Sequence, residues 1–218
     1  MSLSRPANTL TPRHVAFSPD GRLLATASAS GASLWNARTG PDLGKRVASL
    51  GDDMLANQVA FSPDGKTLAT VGYDGHRNPG HEGIAQLWDV ARRKAREEVV
   101  STEEVYGLSY SADGKTIATA ARNRTVELRD ASDGRFRGTI DETMVVPVQS
   151  VQFSPRDSVL AVFNGPEVNL WDTAENKLKY RLVGNDGNVL HLAFSPDGTL
   201  VASASPDDVV CLWKIPRP

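Results

Sequence analysis

One pattern recurs along this chain and dictates what it can fold into. A short apolar run ends on an aromatic, a Ser-Pro-Asp-Gly-like turn follows, then a run rich in Ala, Ser and Thr, and a third run that closes on a large side chain. The aromatics are Phe17, Phe61, Tyr110, Phe153 and Phe194, spaced by 44, 49, 43 and 41 residues. The closing positions are Trp35, Trp88, Arg129, Trp171 and Trp213. A fixed period of this size marks a repeat array, in which each unit buries its apolar faces by stacking on its neighbours.

The runs inside each unit are strands rather than helices. They are short, and turn residues separate them at every step. In Ser18-Pro19-Asp20-Gly21, proline presets φ at the first central position, aspartate caps the local backbone, and glycine accepts positive φ where the chain re-enters a strand. Ser62 to Gly65 and Ser195 to Gly198 repeat it; Ser111-Ala112-Asp113-Gly114 lacks the proline and Ser154-Pro155-Arg156-Asp157 lacks the glycine. The second runs at 23–28, 67–72, 116–121 and 200–205 are apolar or small on both faces. Sheets covered on both sides need that composition, and small residues let them approach closely. Outer strands are expected at 46–50, 97–100, 135–140 and 177–183.

Leu87-Trp88-Asp89 and Leu170-Trp171-Asp172 carry a Trp-Asp ending intact, and Leu34-Trp35-Asn36, Leu128-Arg129-Asp130 and Leu212-Trp213-Lys214 carry it in part. With this period, the chain resembles the WD-repeat β-propeller family from about His14 to Ile215. The resemblance implies an all-β fold, a β-propeller of four-stranded antiparallel blades, five in number, within one domain spanning 1–218. The repeat cores fall at about 14–36, 58–89, 107–130, 150–172 and 191–214. The last unit lacks an outer strand of its own, and residues 1–6 stand at the right offset to supply it and close the ring as a monomer. An open arc, a ring completed by a partner, and a piece of a longer propeller are the alternatives.

Members of this family commonly tie each blade with a relay from a Gly-His pair, through a strand serine and a turn aspartate, to the tryptophan indole. No unit here has the histidine. Gly51-Asp52 and Gly184-Asn185 occupy that position in two units, and only the fifth groups Ser205, Asp207 and Trp213, with Asn185 as a substitute donor and acceptor. The fold is therefore expected to rest on packing and strand ladders.

Little in the sequence points to chemistry. Trp88 follows Leu68 by 20 positions, against 11 or 12 in the other units, so some eight residues are inserted around 75–83. This loop holds Asp74, His76, Arg77, His81 and Glu82, yet its histidines lack a helical or strand frame of zinc-ligand spacing, so no metal is assigned. His14 and His191, inside strand segments, read as structural. Arg92-Arg93-Lys94-Ala95-Arg96 is followed by Glu97-Glu98 and reads as an exposed charged turn. Cys211, the single cysteine, excludes an intrachain disulfide or a multi-thiolate metal site and reads as a buried small hydrophobe. No phosphate-binding glycine loop or nucleophile elbow is present, so no catalytic residue and no cofactor is expected.

The net charge of -2 gives no bias toward nucleic acid or an anionic membrane. The opening MSLSRPANTLTPRH has no apolar run long enough for a secretory leader, so a cytoplasmic setting is expected. The function expected is a non-enzymatic scaffold that binds a protein or peptide partner along its loop-bearing rim. Asp52, Asp53, Met54, Asp74, His76, Arg77, His81, Glu103, Arg122, Arg124, Asn185 and Asp186 are its candidate contact residues. The alternatives are an accessory domain or fragment of a larger protein, and an enzyme or small-ligand binder with its site at the channel mouth.

Overall fold

The computed structural model describes residues 12–51, 54–73, 83–101, 104–140, 148, 150–207 and 209–216. The described residues contain no α-helix and form five antiparallel sheets. The first comprises β1 (His14–Phe17), β2 (Leu23–Ser28), β3 (Gly31–Asn36) and β4 (Arg46–Leu50). The second comprises β5 (Leu55–Phe61), β6 (Thr67–Tyr73), β7 (Gly83–Asp89) and β8 (Lys94–Ser101). The third holds β9 (Val105–Tyr110), β10 (Thr116–Ala121), β11 (Val126–Asp130) and β12 (Phe136–Ile140), and the fourth β13 (Ser150–Phe153), β14 (Val159–Asn164), β15 (Glu167–Asp172) and β16 (Lys177–Leu182). The fifth has three strands, β17 (His191–Phe194), β18 (Leu200–Ala204) and β19 (Val210–Lys214). In every sheet the strands lie side by side in chain order.

These are the expected propeller blades, and β4, β8, β12 and β16 are the expected outer strands. The residues proposed to close the ring, 1–6, lie outside the described residues. The chain divides after Val105 into two compact units, the first holding two sheets and the second three.

Within each unit one packing rule repeats, and it follows from the period of two along a strand. In the first unit the face of sheet one bearing Ala25, Ala27, Ala32 and Leu34 buries itself against Val59, Phe61, Leu68 and Trp88 of sheet two. In the second unit Ala118, Ala120 and Val126 of sheet three meet Val151, Phe153, Leu160 and Trp171 of sheet four. The opposite face of sheet four, with Ala161, Val168 and Leu170, then meets Val201, Phe194 and Trp213 of sheet five. A small-residue back face thus receives an aromatic front face each time. The alanines at the centre of the second runs allow that close approach.

The inner hairpins are locked by one device. Ser18 Oγ donates to Asp20 Oδ1 at 2.6 Å and accepts the Leu23 amide at 2.9 Å, while Asp20 accepts the Arg22 amide at 3.0 Å. The Gly21 amide returns to the Ser18 carbonyl at 2.8 Å, which requires its φ of 68°. Ser62 with Asp64, Ser111 with Asp113 and Ser195 with Asp197 repeat the arrangement. Where the glycine is lost, Asp157 caps the Val159 amide instead, and Arg156 donates to the Asp197 carbonyl of the next hairpin at 2.9 Å. A second recurring feature is a register shift between the third and fourth strands of all four complete sheets, at Leu34/Trp35, Gln86/Trp88, Leu128/Arg129 and Leu170/Trp171. A bulge there adds local twist beside the large closing side chain.

Candidate functional site

Two sets of connections meet along the edge of each sheet that carries the candidate residues. In the second unit Asp207, in the β18–β19 turn, accepts the amides of Asp186 at 3.1 Å and Gly187 at 2.9 Å from the β16–β17 connection. Its carboxyl is held below the ordinary carboxylate range, first by the Ser205 hydroxyl and then by backbone amides including those of Val209 and Gly187. Asn185 donates to the Pro166 carbonyl at 3.0 Å and accepts from Ser203 Oγ at 2.7 Å; the Val189 amide reaches the Gly165 carbonyl at 2.8 Å. In the first unit the Met54 amide donates to the Gly51 carbonyl at 3.0 Å. There Gly31 backs so closely onto that loop that a Cβ would sit 2.3 Å from the Gly51 oxygen.

Loop backbones on this edge are therefore fixed from beneath. Arg122, Arg124 and Asp186 are exposed, with Arg124 at a positive φ of 69° in the β10–β11 turn. Met54 and Asn185 are buried, Met54 against the buried Thr70 hydroxyl and Asn185 in the bonds just given. Asp52, Asp53, Asp74, His76, Arg77, His81 and Glu103 lie outside the described residues, as does the inserted loop around 75–83. Among the described residues no group of three His, Cys, Asp or Glu side chains converges as a metal site would require.

The polar relay differs from the one expected. Trp35 Nε1 donates to Thr26 Oγ1 at 3.0 Å, and Trp88 Nε1 to Thr70 Oγ1 at 3.0 Å. Blades one and two thus tie their indoles through a strand threonine, with no histidine involved. In the fifth sheet the strand hydroxyl at the matching position is Ser203, which engages Asn185; Ser205 bonds Asp207 within the turn. Thr26, Thr70 and Ser203 stand at the same place in the LLATAS, TLATVG and LVASAS runs, two positions beyond the residue paired with tryptophan. That alignment was the signal available in the sequence.

Other expectations settle as follows. The 92–96 run is exposed but only partly a turn: Arg92 and Arg93 lie in the turn before β8, with Arg92 paired to Asp89 at 3.3 Å, whereas Lys94, Ala95 and Arg96 open the strand itself. Cys211 is half-buried, because β19 is the last strand of its sheet among the described residues, and its thiol donates to the Gly184 carbonyl at 3.3 Å. His191 is exposed and Nδ1 of His14 is buried. No helix of the described residues is long and apolar enough to cross a membrane.

Parts of this chain are similar in sequence to known proteins. Apoptotic protease-activating factor 1 of Danio rerio is 33% identical over 122 residues, covering 54% of this chain and 10% of that protein. The small ribosomal subunit protein RACK1 of Drosophila melanogaster is 28% identical over 155 residues, covering 64% of this chain and 48% of its own length. The guanine nucleotide-binding protein subunit beta of Schizosaccharomyces pombe is 32% identical over 68 residues, 31% of this chain and 22% of that one. The chain thus spans half or less of the length of each of these relatives. The profile of the WD domain, G-beta repeat, matches residues 5–36, 44–76, 98–130 and 176–214. With more than half its residues inside that match, and with the blade geometry above, the chain belongs to the WD domain, G-beta repeat family.

Proposed function

We propose that this chain is a non-enzymatic interaction scaffold that holds a protein or peptide partner against its loop-bearing rim, in a cytoplasmic setting. The observation that carries the reading is the division of labour along that edge. Asp207, Asn185 and Gly31 fix the loop backbones internally, while Arg122, Arg124 and Asp186 project exposed charge. A surface whose backbone is already ordered loses little conformational entropy when a partner docks. Charged side chains on such a surface give orientation and partner choice. Two of the relatives carry the names of subunits of larger assemblies, a ribosomal subunit and a guanine nucleotide-binding protein, and this supports a role as one member of a complex. Family membership alone is an associational warrant, so the residues carry the weight.

The test compares partners captured by the intact protein with those captured by two variants. One lacks residues 75–83; the other carries Arg122→Ala, Arg124→Ala and Asp186→Ala together. Loss or at least tenfold depletion of a partner in either variant supports the reading. The same partners at the same yields from all three proteins would remove the rim as the binding surface.

A further inference from the structure

Charge is spread unevenly among the strand ends that lie opposite the rim loops. Because the strands of each sheet are antiparallel and follow chain order, the inner hairpin and the outer turn, which leads into the fourth strand, share that end. In the first unit these segments are 18–23 and 62–67 for the hairpins, and 36–48 and 89–96 for the outer turns with the first three residues of β4 and β8. They hold nine Lys and Arg against four Asp and no Glu, five uncancelled positive charges in a chain of net charge -2. The matching segments of sheets three and four, 111–116, 154–159, 130–138 and 172–179, hold six of each sign. The imbalance belongs to sheets one and two and is not a property of the repeat.

All four acids are already engaged. Arg22 pairs with Asp20 and Lys66 with Asp64 at 3.6 Å each, Lys45 with Asp42 at 2.5 Å, and Arg92 with Asp89 at 3.3 Å. Among the described residues Arg38, Arg46, Arg93 and Lys94 have no ion-pair partner, and Arg96 donates to the Thr67 hydroxyl at 3.2 Å. Arg93 is the most telling of them. It stands four residues after Asp89 at a φ of 57°, where sheets three and four place Gly134 at 70° and Asn176 at 50°. The left-handed region favours glycine and asparagine, so an arginine is held there against its backbone preference. No contact within the fold repays that, and like charges crowded on one edge repel one another. The edge is also continuous: a Cβ on Gly65 would stand 3.4 Å from Pro19 Cδ of the neighbouring hairpin, and Val47, Ala48 and Val90 of the two outer turns pack on one cluster.

We propose that this edge of sheets one and two is a second docking surface, which takes an acidic segment of a partner protein whose Asp and Glu carboxylates pair with Arg38, Arg46, Arg93, Lys94 and Arg96. A peptide fits better than a row of phosphates for two reasons. The four aspartates interrupt the cations and would face any uniform polyanion, whereas a peptide can place its carboxylates between them. Leu43, in the turn between Arg38 and Arg46, is 45% exposed and offers an apolar contact that only a side chain can use. Charge of this kind gives partner choice and fast encounter, and it weakens with salt.

The experiment is fluorescence anisotropy on the full chain with a labelled peptide of repeated Glu-Glu-Leu triplets, read at low and at physiological salt. Wild type is expected to bind with a Kd of about 100 µM or tighter at low salt. Arg93→Gly with Lys94→Gln should melt at or above the wild-type temperature, because glycine suits that φ, and yet bind at least threefold more weakly. Adding Arg38→Gln and Arg46→Gln should bring the loss to at least tenfold. Lys115→Gln with Lys177→Gln, on the balanced edge, removes the same charge as the first pair and should change binding less than twofold. The variant with Arg122→Ala, Arg124→Ala and Asp186→Ala should bind this peptide as wild type does, which separates the surface from the rim. No binding by wild type, an Arg93 and Lys94 pair that binds unchanged, or equal losses from the two charge-matched pairs would overturn the proposal. Loss of the peptide in the rim variant would overturn it too, as would tighter binding of a DNA duplex or of phosphatidylserine vesicles than of the peptide.

Discussion

Trp88 and Thr70 lie on adjacent strands of the second blade, and the indole Nε1 donates to the threonine hydroxyl across 3.0 Å with both residues buried. The same hydroxyl lies 3.4 Å from the Gln86 carbonyl. Thr70→Val keeps the volume and removes the acceptor, leaving a buried N–H without its partner. Such a loss costs about 1–3 kcal/mol, and urea unfolding should show it, while Thr70→Ser should retain most of the stability. Equal midpoints for the valine and serine variants would show that the bond contributes nothing.

The repeated hairpins make stability depend on acid. Asp20, Asp64 and Asp113 are held below the ordinary 3.8, each first by its Ser18, Ser62 or Ser111 hydroxyl and next by a backbone amide. Asp197 is pushed down to about 2, first by Ser195 and then by Thr199. Folding thus favours the ionised carboxylates. Their contribution is fully present above the unfolded value of 3.8 and is lost as pH falls through the folded values, toward about 2 for Asp197. The urea midpoint should therefore fall steadily from about pH 4 downward, and Ser195→Ala should shallow that slope. A midpoint independent of pH in this window would contradict the hairpin assignment.

Gly72 faces a fixed obstacle, since a Cβ there would lie 1.8 Å from the Leu55 carbonyl oxygen, where β5 carries its register shift between Ala56 and Gln58. Gly72→Ala should force the two strands apart and cost on the order of 1–3 kcal/mol, the range for overpacked sites. Gly138, in β12, has no atom within 4 Å of its would-be Cβ. Gly138→Ala should be neutral or stabilising by up to about 1 kcal/mol through the unfolded chain. Thermal melts of the pair give the contrast directly.

Much of this was legible in the residues because repetition averages over local ambiguity. Five aligned copies place β1 to β3 and their counterparts, and the Ser-Pro-Asp-Gly turns mark each hairpin. The outer strand β4 falls at 46–50 as expected, whereas β8 begins at Lys94 rather than 97, because the Asp89–Arg92 turn ends sooner than its charge run suggests. The relay departs from the expected one for a physical reason: a hydroxyl serves the indole whether it belongs to serine or threonine. Ser205 stands near the turn and bonds Asp207, whereas Thr26 and Thr70 on the strand itself receive the indoles and Ser203 at the same place engages Asn185. Burial of Met54 and Asn185 was likewise hidden, since neighbours in sequence do not reveal which loop side chain points inward.

The third blade offers the sharpest test of how a lost tryptophan is accommodated. Arg129 takes its place, paired to Glu127 at 2.6 Å, bonded to the Gly134 carbonyl at 3.2 Å and set 5.9 Å from the Phe136 ring. Both charged side chains are largely shielded from water, at 14% and 20% exposure, so each relies on the other. Removing one member strands the other's charge, which costs up to about 3–5 kcal/mol at a fully buried site and less at this one. Glu127→Gln alone should therefore destabilise by roughly 1–2 kcal/mol, a partner-removal penalty reduced for partial exposure. Arg129→Trp alone should be penalised too, since Glu127 would keep its charge without the guanidinium. Together the two changes rebuild the Gln86 and Trp88 pairing of blade two, with Thr119 at the place of Thr70 to receive the indole. The double variant should recover at least wild-type stability. A double-mutant cycle read by urea unfolding measures the coupling, and strictly additive losses would show that Arg129 and Glu127 do not act as a pair.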